Sequence, residues 1–522
     1  MTRIFLLISI LLSFSTFNYC VQSQEVPTKG LKEISEPLVK EFIDFLASDE
    51  MRGRSAPSIE IDKSADYIAS KFKSFGVMPV QDSYFQPIPF CAADLNVEQC
   101  NFVLIKSGIR HEFAIKENFT PLLNTGNGQV SGELIFAGYG ITAPEYNYDD
   151  YAGIDVKGRI VLVLKQEPRQ NDTVNSVFDG AKATKYSDLA YKIRNAAEHG
   201  AAGFLLVTDP LHNVAITAQG HLWNSLYSRG KARPVYYLCA ERDKVIPAVQ
   251  VNRDVINEIF GSVDSLRSLQ RNIDENLRPL LFLVPEISVN LAVSVEKNEF
   301  PSNNVIGWIE GSDNQLKNEF VIIGAHYDHV GVTSKPNHLN DSIMNGADDN
   351  ASGTAAVMAV AKAFAASGKK PARSVVFMLF TAEERGLIGS NYYTKNPLFP
   401  LEKTVAMINL DMIGRNGNDT VFVIGQQYNP ELAALVNEEI PGSELIKDEM
   451  PVDLYRSSDY YPFYKNGISA IGLTSGLHKD YHGVTDNPDK INHTKVRKIS
   501  QLVYKVAWQI ANSNNYYTII KQ

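Results

Sequence analysis

Cysteine is scarce: four residues in 522, so no dense disulfide framework holds this chain together and its stability must come from apolar cores. Basic charge is in deficit too. Fifty Lys and Arg face 59 Asp and Glu, a net charge of −9, so there is no positive field to draw nucleic acid as a partner. Long apolar runs are absent beyond the first twenty residues, and no stable membrane span is expected. The run that does exist, IFLLISILLSF after Arg3, is too short to cross a bilayer and fits the apolar region of a secretory signal. Val21-Gln22-Ser23 offers small residues before a cleavage point, so residues 1–23 read as a signal peptide and the mature chain as secreted or periplasmic. Cys20 is the alternative, a lipid-anchor residue, disfavoured by the bulk of Phe17, Asn18 and Tyr19 before it. Cys91 and Cys100 are close enough in sequence to close a local disulfide, while Cys239, inside the apolar PVYYLCA, reads as buried and reduced. Sequons such as Asn118-Phe119-Thr120 and Asn171-Asp172-Thr173 carry little weight, since Asn350-Ala351-Ser352 fits the same pattern.

What is present is a large apolar content, 44%, spread over a length that calls for two or three folded units. In the last two hundred residues, five stretches put an acid or a histidine where a strand should stop. They are VIIGAHYDHVG, NGADDNASG, FMLFTAEERGLIGS, INLDMIG and KDYHGVTD. In three of them an apolar run that reads as a buried strand breaks into charge, at His326, at Glu383-Glu384 and at Asp411. Side chains at such strand ends face the crevice where open α/β sheets bind ligands.

A two-metal hydrolytic site needs a carboxylate shared by ions about 3.5–4 Å apart, a further carboxylate and an imidazole for each, and an unligated base. His326, Asp349, Glu384, Asp411 and His482 supply that set, which leaves Glu383 for the base. Asp328, two residues beyond His326, is placed to accept the second ring N–H and fix the tautomer. Gly346 and Gly353 bracket Asp348-Asp349-Asn350 as a tight loop feeding a helix capped by Ser352 would require. Each stretch alone is as readily a solvated loop or a helix cap; their joint occurrence is what favours a site. His329, His338, His478 and His493 lack a partner pattern and are expected to be solvated or to lie behind the ligands.

These residues resemble the co-catalytic dizinc exopeptidases, the family that includes secreted bacterial leucyl aminopeptidases and glutamate carboxypeptidase. The order His, Asp, Glu-Glu, Asp, His matches residue by residue. The resemblance selects Asp349 over Asp348 as the shared ligand, implies a cis peptide after Asp349, makes Glu383 the general base and Glu384 a ligand, and marks Tyr481 as an oxyanion donor. It also favours two Zn2+ per chain, although Co2+ or Mn2+ would accept the same nitrogen and oxygen donors.

Upstream, LVKEFIDFLAS and EIDKSADYIASKFKSFG have the spacing of two amphipathic helices, the second ending at Gly76. From about 128 short strands and turns take over, and GYGITAPEYNYDDYAGIDVKGRIVLVL and AAEHGAAGFLLV resemble the protease-associated domain. The expected architecture is a three-layer α/β/α exopeptidase domain with a mixed sheet and a smaller β-rich insert. Its parts would be residues 30–127, an insert over 128–285 and a catalytic segment over 286–522. DENLRP near 274–279 and SVEKNEFPSNN near 295–304 are the candidate return boundaries.

The expected activity is peptide hydrolysis from a chain end, aminopeptidase before carboxypeptidase or dipeptidase. An aminopeptidase needs acceptors for the substrate ammonium, for which Glu383, Asp411 and Asp459 are candidates; a carboxypeptidase needs a guanidinium, for which Arg456 or Arg415 would serve. Family members often carry histidine where Tyr460 follows Ser458-Asp459, so the pocket there differs. A non-catalytic receptor on the same fold is the reading from another class, and such proteins have lost ligands that this chain keeps.

Overall fold

The computed structural model describes residues 25–170, 178, 180, 182–227, 236–239, 245–450 and 454–521; the expected signal peptide, Cys20 and the Asn171 sequon lie outside these. The chain divides into two compact units, Met1–Pro87 with Asn303–Gln522, and Ile88–Ser302. No helix among the described residues is long and apolar enough to cross a membrane.

The first unit is built on a mixed sheet. Helices α1 (Glu36–Leu46) and α2 (Ile59–Phe75) stand where the amphipathic spacing puts them, and α2 ends at Gly76 in the left-handed conformation that glycine adopts without strain. The strands are β1 (Val295–Ile309), β2 (Phe320–His326), β3 (Ser374–Phe380), β4 (Thr404–Leu410), β5 (Thr420–Ile424), β6 (Ile446–Asp448) and β7 (Ala470–Thr474). Their order is β1-β3-β2-β4-β7-β5-β6. The central β3, β2, β4 and β7 run parallel, with His326 paired to Phe380, while β1 is antiparallel to β3 and β5 is antiparallel to β7 but parallel to β6. Parallel strands must be covered on both faces, which is why VVFMLF and VIIGA are continuously apolar.

Alternate residues of β3 show the two layers. Phe377 meets Phe72 of α2 and Phe364 of α3 (Gly353–Ala366), at ring separations of 6.3 and 5.9 Å. Phe380, of opposite parity, meets Phe463 in the helix Tyr460–Lys465 at 6.0 Å. Helix α3 is apolar all round because α1, α2, the C-terminal α4 (His493–Ala511) and the sheet enclose it. The α/β/α layering is therefore the one the sequence pattern implies.

The second unit is an eight-stranded sheet whose segments Gly128–Ala137, Ile160–Leu164, Gly203–Val207 and Ala248–Val251 pair in parallel. It is wider than the insert expected over 128–285. Asn101–Lys106 pairs with Leu281–Val293, and Phe119–Pro121 with Ala248–Val251, so residues well before 128 belong to this sheet.

The reading of Cys239 as a reduced thiol is overturned, and the local bond open to Cys91 and Cys100 is not the one formed. Cys91 is bonded to Cys239 and Cys100 is free. Strand pairing explains it: Tyr236–Leu238 lies antiparallel against the segment containing Cys91, with Tyr237 opposite Cys91, and this brings Cys239 within 5.1 Å Cα to Cα. Cys239 is half-buried and oxidised, and Cys100 contacts Ser294 instead. Non-reducing peptide mapping should find one cross-linked peptide pair joining Cys91 to Cys239, with Cys100 as an alkylatable thiol. A Cys91–Cys100 peptide would reverse the assignment.

Candidate active site

The parallel strands β2, β3 and β4 end side by side, and each delivers an acid or imidazole as it ends. His326 is the last residue of β2, Asp411 follows β4, and Glu383 and Glu384 form a single helical turn just after β3. Three non-glycine residues at these points adopt left-handed backbone: Ala382 (φ 56°), Met412 (φ 56°) and His482 (φ 54°). Such conformations are disfavoured for side chains larger than glycine and recur where a site fixes the direction of its groups.

The groups converge in two adjoining sets. His326 Nε2 lies 3.3 Å from Asp411 Oδ1 and 3.4 Å from Asp349 Oδ1. The other oxygen, Asp349 Oδ2, is 3.2 Å from His482 Nε2 and 3.5 Å from His329 Nδ1. Glu384 completes the second set, with Oε2 3.1 Å from His482 Nε2 and Oε1 3.0 Å from His329 Nδ1. Ligand atoms lie within 4.8 Å of one another in His326, Glu383 and Asp411, and likewise in His329, Asp349, Glu384 and His482. The five residues proposed as ligands are thus together, Glu383 sits beside the first set, and the two oxygens of Asp349 face different imidazoles.

The electrostatics are those expected where buried carboxylates and imidazoles converge. Burial and then the charges of Asp459, Asp411 and Glu384 push the Glu383 carboxyl well above its usual range, against the pull of His326. Burial opposes a charged His326, yet Asp411, Glu383 and Asp349 together raise it well above the usual imidazole value. His482, also against burial, is raised to about 10 by Asp349 and Glu384. Buried Asp349 Oδ2 has no hydrogen-bond donor although two ring nitrogens lie within 3.5 Å, an arrangement that metal ligation by all three atoms satisfies. The residues fit zinc: imidazole and carboxylate donors, mostly buried, with His326 Nδ1 donating to the Asp328 backbone carbonyl (3.2 Å) and so leaving Nε2 its lone pair.

That contact also corrects the role expected of Asp328. Its carboxylate is 3.8 Å from His326 Nδ1, beyond hydrogen-bond range, and its Oδ1 instead accepts from the Glu383 backbone N–H at 3.0 Å. The chain carries the carbonyl of Asp328, not its side chain, back to the ring. Asp328 is fully buried, with burial lifting its carboxyl to about 7, and it orients the turn that carries Glu383.

The peptide Asp349-Asn350 is cis. Ser352, expected to cap α3, makes no cap bond; its hydroxyl donates to the Asp348 carbonyl and accepts from Ile413 N–H. The capping acceptor is Asn350, whose Oδ1 takes Gly353 N–H (2.9 Å) and Met412 N–H (3.2 Å) and whose amide donates to the Leu410 carbonyl. One side chain thus ties the acidic loop to the end of β4.

Tyr481 stacks on His482 at 3.9 Å between centroids, and burial followed by Asp349 and Glu384 pushes its hydroxyl well up, so it stays a donor at neutral pH. Met412, Ile424, Leu454, Tyr460, Leu473 and Leu477 give the cleft an apolar wall opposite His326, Glu383, Glu384 and Asp411.

Sequence reasoning missed His329 as a member of the second set, and Arg54 and Asp486 behind the ligands, while His478 lies behind them as expected. His329, expected to be solvated or behind the ligands, lies buried within the second set. Arg54 is buried and donates to the carbonyls of Tyr327, Leu46, Asn345 and Gly346, holding both the His326 and the Asp349 loops. Asp486 accepts from the N–H groups of Asp348 and Asp349, and buried His478 faces Asp348. Only RGR between two helices hinted at Arg54, and nothing in spacing separates His329 from His338, which is exposed. His493 is half-buried at the start of α4.

Residues 304–507 match the model of peptidase family M28 and residues 130–259 match that of the PA domain. A glutamate carboxypeptidase 2 homolog of Caenorhabditis elegans is 24% identical over 403 residues, covering 68% of this chain and 49% of that protein. Leupeptin-inactivating enzyme 1 of Streptomyces exfoliatus is 31% identical over 206 residues, covering 35% of this chain and 46% of that protein. The chain spans about half the length of these curated relatives. Among solved structures, an aminopeptidase from Aneurinibacillus sp. strain AM-1 aligns over 93% of this chain and 96% of its own, at 22% identity and a TM-score of 0.48.

Proposed function

We propose that the chain is a zinc-dependent exopeptidase, specifically an aminopeptidase, a reading supported by the match of residues 304–507 to the model of peptidase family M28. The observation that carries the reading is the orientation of Asp349, with Oδ1 toward His326 and Oδ2 toward His482, as a carboxylate shared by two ions requires. His326 and Asp411 would complete one position, Glu384 and His482 the other. Bound zinc supplies Lewis acidity that polarises a carbonyl and acidifies water; cobalt or manganese would fit the same donors. Glu383 takes the proton from the attacking water and returns it to the leaving amine as the C–N bond breaks. The Tyr481 hydroxyl donates to the oxygen that gains charge, and Asp328 keeps Glu383 aimed through its backbone N–H.

An amino-terminal substrate is favoured over a carboxyl-terminal one by the charges around the cleft. Glu383 and Asp411 line it and suit an ammonium, whereas Asp459 is fully buried and is not among the lining residues. Arg415, a candidate for a terminal carboxylate, is held by Asp480 at 2.7 Å and Asp486 at 3.6 Å. Arg456 is exposed and outside the lining. The apolar wall suits a nonpolar first side chain.

The test is a matched substrate panel with the zinc-loaded full chain. Aminoacyl amides with a free amine and an apolar side chain should be cleaved, and their N-acetylated counterparts should not. Release of the C-terminal residue from N-acetylated peptides would replace the aminopeptidase reading with the carboxypeptidase one. Metal bound without any cleavage would leave the non-catalytic reading.

A further inference from the structure

We propose that His329 is a further metal ligand, so that the second ion position is enclosed by four protein donors while the first keeps an open face. The inference rests on the metallopeptidase reading above. Five ligands satisfy that reading; His329 is a sixth donor pointing at the same place. Its Nδ1 lies 3.0 Å from Glu384 Oε1 and 3.5 Å from Asp349 Oδ2, and its ring meets that of His482 edge-on at 5.5 Å. His329 Nδ1, Asp349, Glu384 and His482 Nε2 form a two-nitrogen, two-carboxylate group with ligand atoms within 4.8 Å of one another. The first position has His326, Asp349 and Asp411, with Glu383 beside it and assigned as the base.

Packing fixes the ring in that direction. His329 is buried, with 1% of its surface exposed. A Cβ on Gly346 would lie 2.4 Å from His329 Cγ, so only glycine leaves room for the imidazole beside the Asp349 loop. Among the described residues, Nε2 has no hydrogen-bond partner. An imidazole that served only to orient a ligand would be expected to have its other nitrogen anchored; here all the polar contact is on the metal-facing Nδ1. Four protein donors are the pattern of closed zinc sites, and three donors with an open position that of catalytic ones. The two positions would then differ in kind, one holding its ion tightly and the other presenting an ion to substrate.

The alternative is that Nδ1–H merely donates to Glu384 and positions it. Three variants separate the two. His329→Ala removes both the donor and the hydrogen bond; His329→Asn keeps an amide N–H near the Nδ1 position but ligates poorly; His329→Cys supplies a thiolate ligand without an N–H. Metal-free full chain would be titrated with Zn2+ against a chromophoric chelator, and the Co2+-loaded proteins examined by absorption.

Wild type should bind two ions in two phases of distinct affinity. His329→Ala and His329→Asn should both weaken the tighter phase, by more than the roughly 10–100-fold that loss of an outer partner costs. His329→Cys should restore it and show sulfur-to-cobalt charge-transfer absorption. Two ions held as tightly by His329→Ala as by wild type, or a tight phase restored by Asn, would overturn the proposal while leaving the metallopeptidase reading in place. A wild-type chain that binds no zinc would remove the reading and the proposal together.

Discussion

Glu383→Gln is expected to leave two metal ions bound and substrate affinity nearly unchanged, while turnover falls by roughly 10²–10⁴-fold or more. The amide keeps the shape of the side chain and the backbone N–H bond to Asp328, so the turn after β3 stays where it is. What it removes is basicity, the property the proton transfer needs. Glu384→Gln is the contrast. Glu384 touches His329 and His482, so its substitution should cost metal first and activity as a result. Because Glu383 lies within ligand distance of His326 and Asp411, proximity alone does not separate the roles of the two glutamates; the paired variants do. If they exchanged behaviours the roles would be reversed, and a fully active Glu383→Gln would end the hydrolytic mechanism.

His326, Glu384 and Asp411 were legible because each sits where a buried parallel strand runs out, a transition from apolar run to charge written in consecutive residues, while Asp349 and His482 lie in loops. The residues that aim them were not. Arg54 reaches the site through carbonyl groups of Tyr327, Asn345 and Gly346, and carbonyls carry no sequence signature. Asp328 was read from its spacing to His326, but spacing does not say whether the side chain or the backbone of a residue turns back toward a ring. Ser352 and Asn350 both have capping chemistry, and the choice between them depends on the local backbone path around Asp349.

The start of the second unit was hidden for a related reason. It falls near Ile88, inside the strand Phe85–Leu95, with nothing in the pattern to mark it, whereas the unit's end at Ser302 lies within SVEKNEFPSNN, one of the two candidate return boundaries. A strand that continues through a boundary has the same periodicity on both sides. The disulfide depended on the same long-range pairing: Cys91 lies nine residues before Cys100 in the chain, but the segment paired beside it is the one leading to Cys239.

Asp349→Ala should weaken both metal positions and abolish turnover, because Asp349 is proposed as the ligand with an oxygen in each. The loss of affinity should exceed the roughly 10–100-fold typical of an outer partner, and it should appear in both phases of a zinc titration. Collapse of the loop is not the expected cause. Asp486 holds the Asp348 and Asp349 N–H groups, Asn350 pins the loop to the end of β4, and Arg54 holds the Gly346 carbonyl; none of these contacts uses the Asp349 side chain. The neighbouring acid supplies the control. Asp348 Oδ1 accepts from Gly414 N–H at 2.6 Å and its Oδ2 faces His478, so the carboxylate points away from the ligand sets. Asp348→Asn should therefore retain two ions, with its effect confined to stability. Two ions retained by Asp349→Ala would remove the shared-ligand assignment, and metal lost from Asp348→Asn with Asp349→Ala unaffected would transfer that role to its neighbour.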